Sequence, residues 1–160
     1  MDTIGSSGAD TIPSTPFTPH AGVPVSENVG VVDAGVILTR LDRRRRSHAA
    51  AVALFASCAR GALRLHMSTV NLAEALQHSR AYREATGVDV VAVLRGFSVV
   101  ITPPDVDIAR RVADLSALGG ASLADRFALA TTQALGTRLH TTDRVLAQLA
   151  RRCHVPTTLY

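Results

Sequence analysis

The chain contains no lysine: all seventeen basic side chains among its 160 residues are arginine. A guanidinium grips phosphate through a planar fork of donors, a geometry that an ammonium group lacks. Acids are scarce as well, thirteen in all, which leaves a formal net charge of +4. This surplus favours a polyanionic partner such as nucleic acid, although proteins that never meet one also carry charges of this size. Cysteine is nearly absent. Cys58 and Cys153 stand far apart without C-x-x-C spacing, which argues against a zinc knuckle or a disulfide framework and leaves two buried or idle thiols. No histidine is paired with another histidine or a cysteine at zinc-ligand spacing, so the six histidines read as surface or packed residues. Long apolar runs are missing too: residues 49–59 are interrupted by Ser57 and fall short of the roughly 18 residues of a membrane span. The first residues carry no basic stretch followed by an apolar core, so no secretory signal is read. The expectation is a soluble cytoplasmic protein with no membrane association and no internal repeat.

What is present fits one domain with a real core, since 47% of the residues are hydrophobic. Residues 1–28 are rich in Gly, Ser, Thr and Pro without apolar periodicity, which predicts a disordered N-terminal extension ahead of a domain over 29–160. From Val29 the texture alternates. Strands are expected at 29–33, 63–67, 97–101 and 138–141, with a last edge strand at 155–159. Helices are expected at 34–41, at 47–59 behind a Ser47 cap, and from Ser68 or Thr69 to about Glu84. Further helices are expected at 88–95, from Asp105 to the Gly119-Gly120 pair, over 123–135 up to Gly136, and from Asp143 to about Arg152. Residues 43–46 form a basic loop. Such alternation predicts a parallel sheet covered on both faces by helices.

Four acids stand beside apolar segments: Asp33, Glu74, Asp125 and Asp143. Asp33 ends the first strand, at the edge where open α/β sheets bind ligands. Each also has a plainer reading. Asp33 and Asp143 can be helix N-caps, and Ser122-Leu-Ala-Asp125 has capping-box spacing. Glu74 shares a helix face with Asn71, Gln77 and His78, which a solvated surface would explain. Singly, none compels a site. Jointly, acids recurring after successive strands would be gathered at one edge of a parallel sheet. Carboxylates about 4 Å apart repel by roughly 4 kcal/mol per pair at an effective dielectric near 20, so a cluster needs a cation or must take up protons. Hard oxygen ligands select Mg²⁺ or Mn²⁺ over zinc.

The order Val-Val-Asp33-Ala, Asn71-Leu-Ala-Glu74-Ala-Leu, Ser122-Leu-Ala-Asp125 and Thr141-Thr-Asp143-Arg144 resembles the PIN-domain ribonucleases, and within them the VapC-type toxins of bacterial toxin-antitoxin pairs. The resemblance runs from Val29 to the end of the chain. It implies a three-layer α/β/α sandwich on a central parallel sheet, Mg²⁺ or Mn²⁺ held by Asp33, Glu74, Asp125 and Asp143 as catalytic acids, and Thr141 as a supporting polar group. It also implies an RNA substrate, a small antitoxin presenting Arg or Lys to the acids, and a homodimer. Arg43, Arg44, Arg45, Arg46, Arg126 and Arg144 are candidates for holding RNA, because four carboxylates alone would repel it. One departure stands out: the position two residues after the first acid often carries a hydroxyl or amide in this family and is Gly35 here. Loss of such support weakens metal sites by about tenfold or more. Two rivals follow, a catalytically inactive PIN-like module binding RNA or a protein, and a small-molecule hydrolase or phosphatase. The last is disfavoured because Asp33-Ala-Gly35 lacks a second acid two residues on.

Overall fold

The computed structural model describes residues 28–117 and 119–160; the extension expected over 1–28 lies, Asn28 apart, outside the described residues. Five strands, β1 (Val29–Val32), β2 (Arg64–Ser68), β3 (Val100–Thr102), β4 (Arg138–Thr141) and β5 (Thr157–Leu159), pair in parallel in the order β3-β2-β1-β4-β5. Between them run α1 (Ala34–Leu41), α2 (His48–Ala59), α3 (Thr69–His78), α4 (Arg80–Thr86), α5 (Val90–Gly96), α6 (Val106–Asp114), α7 (Leu123–Ala134) and α8 (Arg144–Arg152), with a 3-10 turn at Leu115–Ala117. Among the described residues no helix is long and apolar enough to cross a membrane.

Successive strand residues point to opposite faces, and that alternation divides the core. Val32, Leu65 and Met67 pack with Val36, Ile37, Phe55 and Leu94 of α1, α2 and α5. Val31 and Leu139 pack with Ile108, Leu129 and Leu146 of α6, α7 and α8. The result is the expected three-layer α/β/α sandwich. Gly30 leaves room for the His140 ring: a Cβ there would lie 2.6 Å from His140 Nε2, so a side chain on β1 at this point would have to displace the imidazole.

Three elements differ from the sequence reading. The helix expected to run to Glu84 breaks at Ser79, which is buried and whose hydroxyl donates to the Leu76 carbonyl; a side chain competing for backbone acceptors interrupts the ladder. The third strand begins at Val100 rather than Phe97. Phe97, Ser98 and Val99 instead close α5, with Val99 N–H bonded to the Leu94 carbonyl and Ser98 at φ 56°. The Phe97 ring packs 5.3 Å from that of Phe55. Finally, α5 starts at Val90 because the Asp89 carboxylate accepts the Val91 N–H.

The chain leaves β1 for β2 and β3 on one side, then returns to β4 on the other. Connections diverge at β1 and β4, the place where open sheets form a crevice at the carboxyl ends of their strands.

Candidate active site

Asp33 follows β1 and caps α1: its Oδ1 accepts the Val36 N–H at 2.9 Å. On its other side, in the β1/β4 crevice, the Thr141 hydroxyl donates to Asp33 Oδ2. Thr141 Oγ1 in turn accepts the Asp143 N–H at 2.9 Å, so one wholly buried hydroxyl links two acids brought together from 110 residues apart in sequence. Asp143 caps α8 by accepting the Val145 and Leu146 N–H groups through Oδ1. Asp125 completes a capping box on α7: Ser122 N–H donates to its Oδ2 at 2.8 Å, and its own N–H donates to Ser122 Oγ at 3.0 Å. The capping readings of all three aspartates are therefore realised.

Capping and clustering turn out to be compatible. Asp33, Glu74, Asp125 and Asp143 all line one pocket of about 130 Å³, together with Ala34, Gly35 and Leu38. Helices α1, α7 and α8 each aim their amino ends at it, and those ends carry partial positive charge that favours anions. Each cap uses only part of a carboxylate's capacity. Asp125 Oδ1, Asp143 Oδ2 and both Glu74 oxygens accept no hydrogen bond from the described residues.

Glu74 is half-buried and lines the pocket, although Gln77 and His78 on its face are exposed. Asn71, one turn before it, is buried: its N–H donates to Ser68 Oγ, and its Nδ2 donates to the Ala124 carbonyl. That clasp ties α3 to the start of α7 and brings Glu74 to the same pocket as Asp125. In sequence Asn71 stands out only as a neighbour of Glu74 on its helix face and in its motif.

Burial raises the Asp33 carboxyl to about 6, opposed by the Thr141 and Val36 hydrogen bonds and aided by the charges of Asp143 and Asp125. The pocket thus penalises its own negative charge, which a cation would relieve. Among the described residues no three acid, histidine or cysteine side chains converge into a ready coordination sphere. The fit is to an ion that keeps several of its waters, as Mg²⁺ does, in a pocket with room for a few at about 30 Å³ each.

Gly35 is pressed from outside the helix. A Cβ there would lie 2.7 Å from Thr142 Oγ1 and 3.3 Å from Asp33 Oδ1. Of the candidate arginines, Arg43 to Arg46 are exposed between α1 and α2, and Asp42 pairs with Arg44 at 2.9 Å and Arg45 at 4.0 Å. Arg144 is exposed. Arg126 is partly buried and donates to the Ala121 carbonyl, and its Nε is buried without a partner among the described residues.

A family model described as PIN domain matches residues 30–152. Among solved structures the chain is similar to the Mycobacterium tuberculosis toxin VapC20, which cleaves the sarcin-ricin loop, at 14% identity and a TM-score of 0.58 over 74% of this chain and 93% of that one. It is similar also to VapBC-1 from nontypeable Haemophilus influenzae, at 17% identity and a TM-score of 0.58 over 82% of this chain and 97% of that one. At these identities the likeness is one of fold. No protein of curated function matches the chain in sequence.

Proposed function

The chain belongs to the PIN-domain family, and from that premise we propose that it is a divalent-metal-dependent endoribonuclease acting as the toxin of a toxin-antitoxin pair. The observation that carries this reading is the pocket at the β1/β4 crevice, where four carboxylates from four different segments meet three helix amino ends. Asp33, Glu74, Asp125 and Asp143 would hold Mg²⁺ or Mn²⁺, and Thr141 would hold Asp33 and Asp143 in register. When bound, the metal would supply a water nucleophile and neutralise charge on the scissile phosphate. The protein's own part is positioning. Its caps engage one oxygen of each aspartate, Thr141 engages the second oxygen of Asp33, and Leu38 and Ala34 wall the pocket with apolar surface.

An RNA substrate is supported by charge outside the pocket. In the described chain all seventeen arginines face only six other acids, Asp42, Glu84, Asp89, Asp105, Asp107 and Asp114. Arg43 to Arg46 and Arg144 are the exposed cations assigned to the RNA backbone, and Arg126 the partly buried one. The proposed antitoxin is a small protein that offers Arg or Lys to the acids and covers Leu123 and Val145, apolar side chains more than half exposed beside Asp125 and Asp143. A cytoplasmic homodimer completes the proposal; light scattering on the purified protein measures the dimer.

The test compares wild type with Asp33→Asn, induced in bacteria and then purified. Discrete RNA cuts and growth arrest with wild type alone, and cleavage in vitro that EDTA stops, are the expected results. Cleavage that survives EDTA would reject the metal role. The lack of a ready coordination sphere among the described residues favours a second reading, an inactive PIN-like module; RNA or protein binding without metal-dependent turnover would establish it.

A further inference from the structure

We propose that Thr142 is a positioning residue for the Asp33 carboxylate, occupying with its hydroxyl the space that a side chain on residue 35 would fill. The inference deepens the proposed metal site and rests on Asp33 being one of its ligands. Gly35 lies in the first turn of α1, and the point where its Cβ would stand is crowded by two atoms, Thr142 Oγ1 at 2.7 Å and Asp33 Oδ1 at 3.3 Å. Real Cβ atoms do not approach a neighbour as closely as 2.7 Å, so residue 35 and the Thr142 hydroxyl exclude one another. The same point is flanked by the Thr142 hydroxyl and by Asp33 Oδ1, the carboxylate oxygen that Thr141 does not touch.

The backbone explains how two neighbouring threonines reach one acid from different sides. Thr141 is the last residue of β4 and Thr142 the first beyond it, and consecutive side chains at a strand end diverge. Thr141 donates to Oδ2, and Thr142 stands on the Oδ1 side, where the Val36 N–H already takes one lone pair. Each carboxylate oxygen accepts more than one hydrogen bond, so Oδ1 keeps capacity for a water shared with the Thr142 hydroxyl. Thr142 is half-buried, and its hydroxyl makes no direct hydrogen bond to any described residue, Asp33 included, so no structural partner accounts for it. The absence of a side chain at Gly35 is thereby a condition for this support and need not signal a weakened site.

Two measurements on the full chain test the assignment. The first is Mn²⁺ affinity by calorimetry. Thr142→Val, which keeps the shape and removes the hydroxyl, should weaken binding about tenfold, and Thr142→Ser should stay within about threefold of wild type. The second is the melting temperature of metal-free protein. Alanine in place of a helical glycine ordinarily stabilises, so Gly35→Ala should raise the melting temperature in a Thr142→Ala background and lower it in wild type, a difference of about 5 °C between backgrounds. Equal shifts in both backgrounds, or unchanged Mn²⁺ affinity in Thr142→Val, would overturn the assignment. Asp33→Asn separates the two levels. If it abolishes Mn²⁺ binding while Thr142→Val leaves it intact, only the role of Thr142 falls; if it binds Mn²⁺ as wild type does, or wild type binds none, the metal reading falls and takes this role with it.

Discussion

Asp33 carries the strongest conflict at the scale of single residues. It is only 5% exposed and sits among other acids, yet its two hydrogen bonds favour the charged form; burial outweighs them and raises its carboxyl to about 6. Because this folded value lies above the unfolded 3.8, the folded state holds the proton more tightly. The associated stability is fully present below about 3.8 and is lost as pH rises through 6. A shift of this size corresponds to a cost on the order of 3 kcal/mol for the ionised, metal-free site near pH 8. Asp33→Asn should therefore be more stable than wild type to urea at pH 8 without metal, and the gap should close toward pH 4. A variant no more stable at pH 8 than wild type would show that ionised Asp33 is not penalised.

Between elements, a tight constraint joins β1 to β4 and to Tyr160, which follows β5. His140 lies against Gly30, its Nδ1 is 2.8 Å from the Tyr160 hydroxyl, and the two rings stack with centroids 5.9 Å apart. Gly30→Ala must push the imidazole or part the strands, and overpacking of this kind costs about 1–3 kcal/mol. Chemical denaturation should register that loss, and a neutral outcome would mean that the sheet yields freely. Burial, with a smaller contribution from the Arg138 charge, lowers His140 to about 4. Its folded value is below the unfolded 6.5, so its stability is present above 6.5 and lost as pH falls toward 4. This slope opposes that of Asp33 over the same window. His140→Gln should remove the acid-side loss, leaving stability that declines from pH 4 to 6; a profile parallel to wild type would exclude His140 as its source.

Across the whole molecule, charge is divided: an acidic pocket at the carboxyl ends of the strands and arginine elsewhere. The Arg43 to Arg46 loop follows α1, whose eight residues carry the chain about 12 Å along the helix axis from Asp33. Replacing those four arginines by alanine should flatten the salt dependence of RNA binding by about 1–3 units of log-log slope, with the pairs of Arg44 and Arg45 to Asp42 reducing the effect. An unchanged slope would remove the loop from the RNA path. Much of this protein was legible without coordinates wherever causes are local. Asp33, Ser122 with Asp125, and Asp143 announce helix starts because a cap needs only an acceptor within three residues of an N–H, and alternating apolar runs dictate buried parallel strands. The burial of Asn71, the rise of the Asp33 carboxyl and the meeting of Gly35 with Thr142 had no such local cause. The sequence by itself determined which residues could be caps, strands and acids. Only the tertiary structure decided which oxygens remain for a ligand and which hydroxyl stands beside them, because desolvation and contact depend on atoms that the chain brings together from more than a hundred residues away.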